Sequence, residues 1–307
     1  MTDSQRHSQV TYDDDIDLRK LFRVLWDGKW LIGGITIAAA VISVIVALML
    51  PNIYRAEVLL APNEQEDVGG LSALAAQYGG LAGLAGINLP AGSTDKTALG
   101  LEVLKSRKFI SEFVERHDVL VPLMAAEGWN ADSGKLEINL DNYDVVQKRW
   151  IRKVSPPRKT IPSMQEAYQA FMELLSVSQD KKSGFVEIAV EHYSPTIAKQ
   201  WVDWLVEDIN STIMQQDVEE AQRAIEYLNE QIQNTPLADL QSVFFRLIEE
   251  QTKTVMLARM SDEYLLTTLD PAVIPELKSK PKRSLIVLLG TLLGGILGVV
   301  VQFGRAK

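Results

Sequence analysis

WLIGGITIAAAVISVIVALML, residues 30–50, and LIVLLGTLLGGILGVVVQF, residues 285–303, run for 21 and 19 positions without a charged side chain. At about 1.5 Å per residue, each is long enough as a helix to cross a hydrocarbon core of roughly 30 Å. These two stretches decide the class: an α+β membrane protein whose two transmembrane helices flank one large extramembranous segment. The first stretch is longer than the apolar region of a signal peptide. No small-x-small cleavage site follows it at Pro51, so it reads as a retained anchor.

Two crossings put both termini on one side, and lysine and arginine assign the side. Arg19, Lys20, Arg23 and Lys29 precede the first helix and only Arg55 closely follows it, which predicts cytoplasmic termini. The second helix argues the other way, because Lys278, Lys280, Lys282 and Arg283 stand before it and only Arg305 and Lys307 after it. The first helix usually dominates orientation, so the expectation is an extracytoplasmic 51–284 segment. With 234 residues that segment is large enough for one large core or two small ones. Its net charge of about −10 argues against nucleic acid, which needs a basic stripe to release counterions. The absence of cysteine fits an oxidising compartment and a cytosol alike.

Seven segments follow from the patterning. Residues 1–29 form a tail in which Leu18, Leu21, Phe22, Leu25 and Trp26 recur at helical spacing, as for an interfacial amphipathic turn. After the first membrane helix at 30–50, residues 51–194 read as a membrane-proximal α/β base. Tyr54, Ala56, Val58 and Leu60 alternate as in a strand. The Gly/Ala/Leu tract 67–90 reads as a flexible or loosely helical surface segment. A membrane-touching loop is the next reading; a phosphate cradle is disfavoured because Gly86 is followed by Ile87 and Asn88, not Lys-Ser/Thr. Leu101, Leu104, Phe109, Ile110, Phe113 and Val114 predict one helix over 97–118 with Asp95 as its cap, and a further helix is expected around 143–150. A helix beginning at Pro162 leads to a hairpin of strands 175–179 and 185–191.

Ser194-Pro195 is a capping residue followed by proline at the first helical position. No glycine or proline then interrupts the apolar period until Pro236, giving about 40 residues of helix, close to 60 Å. A second helix follows over 237–260, and 195–270 is read as long projecting helices. The base cannot bury such a helix on all sides, so Ile209, Ile213, Ile225 and Leu228 are expected to pack helices in a homo-oligomer. Pro271, Pro275 and Pro281 mark 271–284 as a semi-rigid connector returning to the base, before the second membrane helix at 285–303 and a short tail at 304–307. Gly290, Gly294 and Gly298 lie four apart, as do Ala39, Ser43 and Ala47. Small residues so spaced allow close helix approach in lipid, although membrane helices are glycine-rich in general.

No reactive constellation emerges. His7, His117 and His192 are scattered, and no H-E-x-x-H, G-x-S-x-G or Walker lysine is present. Glu219-Glu220 and Glu249-Glu250 read as solvated helix faces. Trp129, Trp150, Trp201 and Trp204 could stack on sugars, but core packing is the more economical use. No catalytic, cofactor-binding or metal-binding residue is expected.

Asp15-Ile-Asp-Leu-Arg-Lys-Leu21, Trp26-Asp-Gly-Lys-Trp30, Tyr54-Arg-Ala-Glu57 and Tyr193-Ser-Pro-Thr-Ile-Ala198 together resemble the chain-length determinant family, the Wzz-like polysaccharide co-polymerases. The proline-rich 271–281 segment and the Gly-rich second helix add to the resemblance. It implies a bacterial inner-membrane protein that forms homo-oligomers through long periplasmic helices. Such a protein regulates, without catalysing, the length of O-antigen or a related polysaccharide. It also implies partners in the O-antigen polymerase and the growing polysaccharide or its lipid-linked form. The connector prolines and second membrane helix are the segments thought to serve assembly and polymerase contact. Capsule relatives often carry a cytoplasmic tyrosine kinase; the short tail here favours the O-antigen branch, with capsule or enterobacterial common antigen assembly as the alternative. A two-helix membrane sensor would need an output domain and is the least favoured reading.

Overall fold

The computed structural model describes residues 26, 28–63, 96–234 and 238–305. The expected amphipathic turn at 18–25, the tract 67–90, the Asp95 cap and Pro236 lie outside them. Two compact units result: the two apolar helices, within residues 1–50 and 281–307, and a domain of residues 51–280.

In the first unit, α1 (Lys29–Met49) and α8 (Arg283–Arg305) pack on one another as an antiparallel pair. Both meet the length and apolarity needed to span a membrane. The helices overrun the apolar windows by one or two polar residues, because backbone hydrogen bonding continues past the last uncharged position.

The second unit is built on a four-stranded antiparallel sheet in the order β6-β7-β1-β8. Its strands are β1 (Tyr54–Pro62), β6 (Leu175–Gln179), β7 (Val186–His192) and β8 (Leu266–Asp270). Strand alternation sends Ala56, Val58 and Leu60 of β1, with Val186, Ile188 and Val190 of β7, into the core. Helix α6 (Pro195–Asn234) covers that face with Trp201, Val202, Leu205 and Ile209. Helices α2 (Lys96–Leu104), α3 (Arg107–Arg116) and α5 (Met164–Leu174) complete the layer, and Phe113, Phe171 and Trp201 form a chain of rings with centroids 5.2 and 5.6 Å apart. Helix α7 (Ala238–Met260) turns back along α6.

Three expectations are corrected. The single helix over 97–118 is two, because Ser106 takes an extended conformation and its hydroxyl accepts the Phe109 N–H, starting α3 afresh. The helix around 143–150 is a tight hairpin of β4 (Tyr143–Asp144) and β5 (Arg149–Trp150). There Asp144 Oδ1 accepts from the N–H groups of Val146 and Gln147, and Lys148 adopts a left-handed φ of 49°. The projecting segment does not run to 270: helix ends at Met260, and β8 belongs to the base sheet. A short helix α4 (Leu120–Met124) and a hairpin of β2 (Ala126–Asn130) and β3 (Lys135–Ile138) fill the remaining stretch.

Candidate assembly surfaces

Helix α6 divides into two halves with different surroundings. Up to Ile213, side chains at core-facing positions are buried, including Ala198, Trp201, Val202, Leu205, Ile209 and Ile213 itself. From Met214 to Asn234 only Ala221 is buried, while Ile225 and Leu228 are half-covered and Tyr227 stands exposed. Ile209 and Ile213 are therefore committed to the chain's own core, where a charge would break the fold before it could report on assembly. Ile225 and Leu228 lie on the outer half and are only half-covered. On α7, Phe244, Leu247, Ile248 and Val255 are half-buried, whereas Leu240, Val243, Phe245, Met256 and Met260 are exposed. These exposed apolar side chains fall on two sides of α7, Leu240 and Val243 on one and Phe245, Met256 and Met260 on the other.

Polar side chains hold α6 in place from its start as far as Asp217. The Asn210 amide donates to the carbonyls of Val206 (3.1 Å) and Leu266 (3.1 Å), and its oxygen accepts from the N–H groups of Leu265 (2.7 Å) and Leu266 (2.9 Å). A buried side chain thus stands in for a strand partner and ties the start of β8 to α6. The Tyr264 hydroxyl donates to Asp217 (2.6 Å), and burial pushes its pKa up. Asp208 accepts from Arg116 (2.7 Å) and lies 3.0 Å from His117, whose ring stacks on Trp204 at 4.2 Å. At the helix start, His192 Nδ1 accepts the Ser194 N–H (3.0 Å) while Nε2 faces the Pro122 carbonyl (3.1 Å). The ring is therefore neutral with its proton on Nε2, and burial pushes its pKa below the ordinary 6.5. The sequence signal for Asp208 and Asn210 was available: polar residues beside core positions of an otherwise apolar stripe.

Beside that inner half, a groove of about 800 Å³ is lined by Asp203, Glu207, Asp262, Glu263 and Arg259 over an apolar floor that includes Val58, Val206 and Met214. Among the described residues no group of three metal-ligating side chains comes together. Of the tryptophans, Trp201 is in the core, Trp129 meets Tyr54 edge-on at 5.5 Å, and Trp150 meets Tyr143 at 5.2 Å. The Arg152 guanidinium and the Ser163 N–H hold the Glu166 carboxyl down to about 2, fixing the capping box of α5.

The connector prolines do not converge on a site. Pro271 lines the groove just described, and Ala272 is buried, but Val273, Ile274 and Leu277 face outward, Leu277 with 84% exposure. Near its end, Ile53 and Lys280 exchange backbone hydrogen bonds, and Lys280 Nζ donates to Glu191 at 2.6 Å. One of the four basic residues that confuse the topology rule is thus engaged in folding.

In the membrane pair, the small residues meet. A Cβ at Gly290 would fall 1.8 Å from Ser43 Oγ, one at Gly294 would fall 2.3 Å from Ala39 Cβ, and one at Gly298 would fall 3.1 Å from Ile32 Cα. A side chain at Gly290 or Gly294 would force its neighbour to move, and one at Gly298 would be tight against Ile32. Ala47 is buried within the pair. Arg283 Nη2 donates to the Leu50 carbonyl at 3.4 Å, joining the two helix ends.

A profile described as chain length determinant protein matches residues 14–117, and one described as the G-rich domain on putative tyrosine kinase matches residues 241–307. No curated protein sequence matches the chain. Among solved structures, a full-length bacterial polysaccharide co-polymerase is similar at 14% identity and a TM-score of 0.39, covering 94% of this chain and 97% of that one. A fragment of WzzB, a polysaccharide co-polymerase from Salmonella Typhimurium, is similar at 12% identity and a TM-score of 0.26. It covers 75% of this chain and 100% of that one.

Proposed function

We propose that the chain is a member of the chain length determinant family, whose profile matches residues 14–117, and that it sets the modal length of lipopolysaccharide O-antigen as an oligomeric scaffold in a bacterial inner membrane. In this reading both termini are cytoplasmic and residues 51–280 are periplasmic. The match over residues 14–117 carries the proposal, because it spans the first anchor and the first strand of the base. The protein works by position, not by bond making. The hairpin of α6 and α7 assembles copies through Ile225, Leu228 and exposed apolar side chains of α7 such as Phe245, Met256 and Met260. The membrane pair, with its glycine face and the connector prolines, meets the O-antigen polymerase. Carboxylates of the 800 Å³ groove offer acceptors to the hydroxyls of the growing, lipid-linked glycan.

The second reading is assembly of a capsule or enterobacterial common antigen. The G-rich profile over residues 241–307 favours it, since that profile is described on putative tyrosine kinases. One experiment separates the two. A lipopolysaccharide gel from a strain lacking the gene should show a modal ladder collapsing to an unregulated spread, restored by complementation. An unchanged ladder would shift the assignment to capsule or common antigen.

A further inference from the structure

Between α1 and α8 runs an open groove of about 920 Å³ lined by Val44, Ala47, Leu48, Val287, Leu288, Thr291 and Leu292. Its wall is apolar apart from Thr291, whose hydroxyl donates to the Val287 carbonyl at 2.7 Å, and one end where Arg283 and Ser284 close it, with Lys282 exposed next in sequence. The lining contains no acidic residue, and neither does the first turn of α8. We propose that this groove is a binding site for one anionic phospholipid, with an acyl chain along the helix pair and the headgroup phosphate on Arg283 and Lys282.

Depth decides between a lipid and another helix as occupant. From Arg283 to Leu292 the groove follows nine residues of helix, about 14 Å. That is roughly half of a 30 Å hydrocarbon core, the depth of one leaflet. The lining stops at Leu292, short of the far half of the pair, so the groove suits an acyl chain of one leaflet better than a helix that crosses both. Charge decides the kind of lipid. A guanidinium at the mouth of a dry channel forms a paired, charge-assisted contact with a phosphate and gives a zwitterionic headgroup less net attraction. One further hydrogen bond of Arg283, to the Leu50 carbonyl, holds the group at the rim. The site also bears on the topology conflict. Of the four basic residues before α8, Lys280 pairs with Glu191, Arg283 lines the groove and Lys282 is exposed beside it, so three of them have local roles on this reading.

The full chain, reconstituted in phosphatidylcholine bilayers, tests this with spin-labelled phosphatidylglycerol against spin-labelled phosphatidylcholine. The immobilised fraction should favour phosphatidylglycerol, by about fivefold for each basic side chain engaged. Lys282→Gln with Arg283→Gln should erase the preference. Val287→Trp, which fills the groove and keeps both charges, should release the immobilised lipid while the helix pair persists by circular dichroism. Free inorganic phosphate should not compete. Equal immobilisation of both lipids, or a preference that survives both variants, would overturn the proposal. So would competition by phosphate, which would make the rim an anion site without a lipid. The chain has no cysteine; disulfide-linked dimers of Leu288→Cys would assign the groove to a second copy instead.

Discussion

The two halves of α6 share one unbroken backbone but not one role. The inner half, Pro195 to Ile213, lies on the sheet and is fastened by His192, Asp208 and Asn210. The outer half, Met214 to Asn234, has α7 beside it and a single buried residue, Ala221. Helical periodicity is the same in both, so an apolar stripe by itself does not say whether it faces the chain's own core or another molecule. What separates the halves is burial: polar fastening continues as far as Asp217, which holds Tyr264, whereas burial of the stripe stops at Ile213 save for Ala221.

Substitutions can break or sharpen this contrast. Trp201→Ala removes the largest fully buried side chain of the inner half and should destabilise the detergent-solubilised full chain by about 3–5 kcal/mol in denaturant unfolding. A loss under 1 kcal/mol would mean that the inner half is not the core. Asn210→Ala leaves the buried N–H groups of Leu265 and Leu266 unpaired and should cost about 2–3 kcal/mol. Hydrogen exchange should then speed up in β8 before it does in β7. Acidification gives a smaller, signed effect. Because burial lowers the His192 pKa in the folded state, its contribution is fully present above the ordinary value of 6.5 and is lost as pH falls below it. Wild type should therefore lose stability between pH 6.5 and 5 more steeply than His192→Gln does. Leu228→Asp, on the outer half, should change unfolding by less than about 0.5 kcal/mol yet reduce the assembled mass by sedimentation and broaden the polysaccharide ladder. Loss of assembly with an unaltered ladder would separate oligomerisation from length control.

Much of this architecture could be read from side-chain order alone. Both membrane helices, β1, the β6–β7 hairpin and α6 announced themselves through uncharged runs, strict alternation or Ser194-Pro195. The four-residue spacing of the glycines at 290, 294 and 298 offered close helix packing as one reading, beside the general glycine richness of membrane helices. Periodicity failed where it is insensitive. The stripe from Leu101 to Val114 keeps helical phase across the break at Ser106, so only the cap geometry reveals two helices. Strand β8, Leu-Thr-Thr-Leu-Asp, has no apolar alternation because it is an edge strand whose first backbone groups are satisfied by a side chain 56 residues away. Assigning Ile209 and Ile213 to assembly was wrong for a related reason: helical spacing marked the stripe, and only the fold shows where the base ends.

The sheet order has a consequence for biogenesis. In β6-β7-β1-β8, Leu60 of the first strand pairs with Thr268 of the last, across most of the domain's length. Long-range pairing of this kind closes late, after the intervening loop entropy has been overcome. The base therefore cannot be completed until nearly all of residues 51–280 has left the ribosome, and β8 emerges only a dozen residues ahead of α8. The strand that completes the base and the second apolar helix are thus synthesised almost together, at the very end of the chain's long-range pairing.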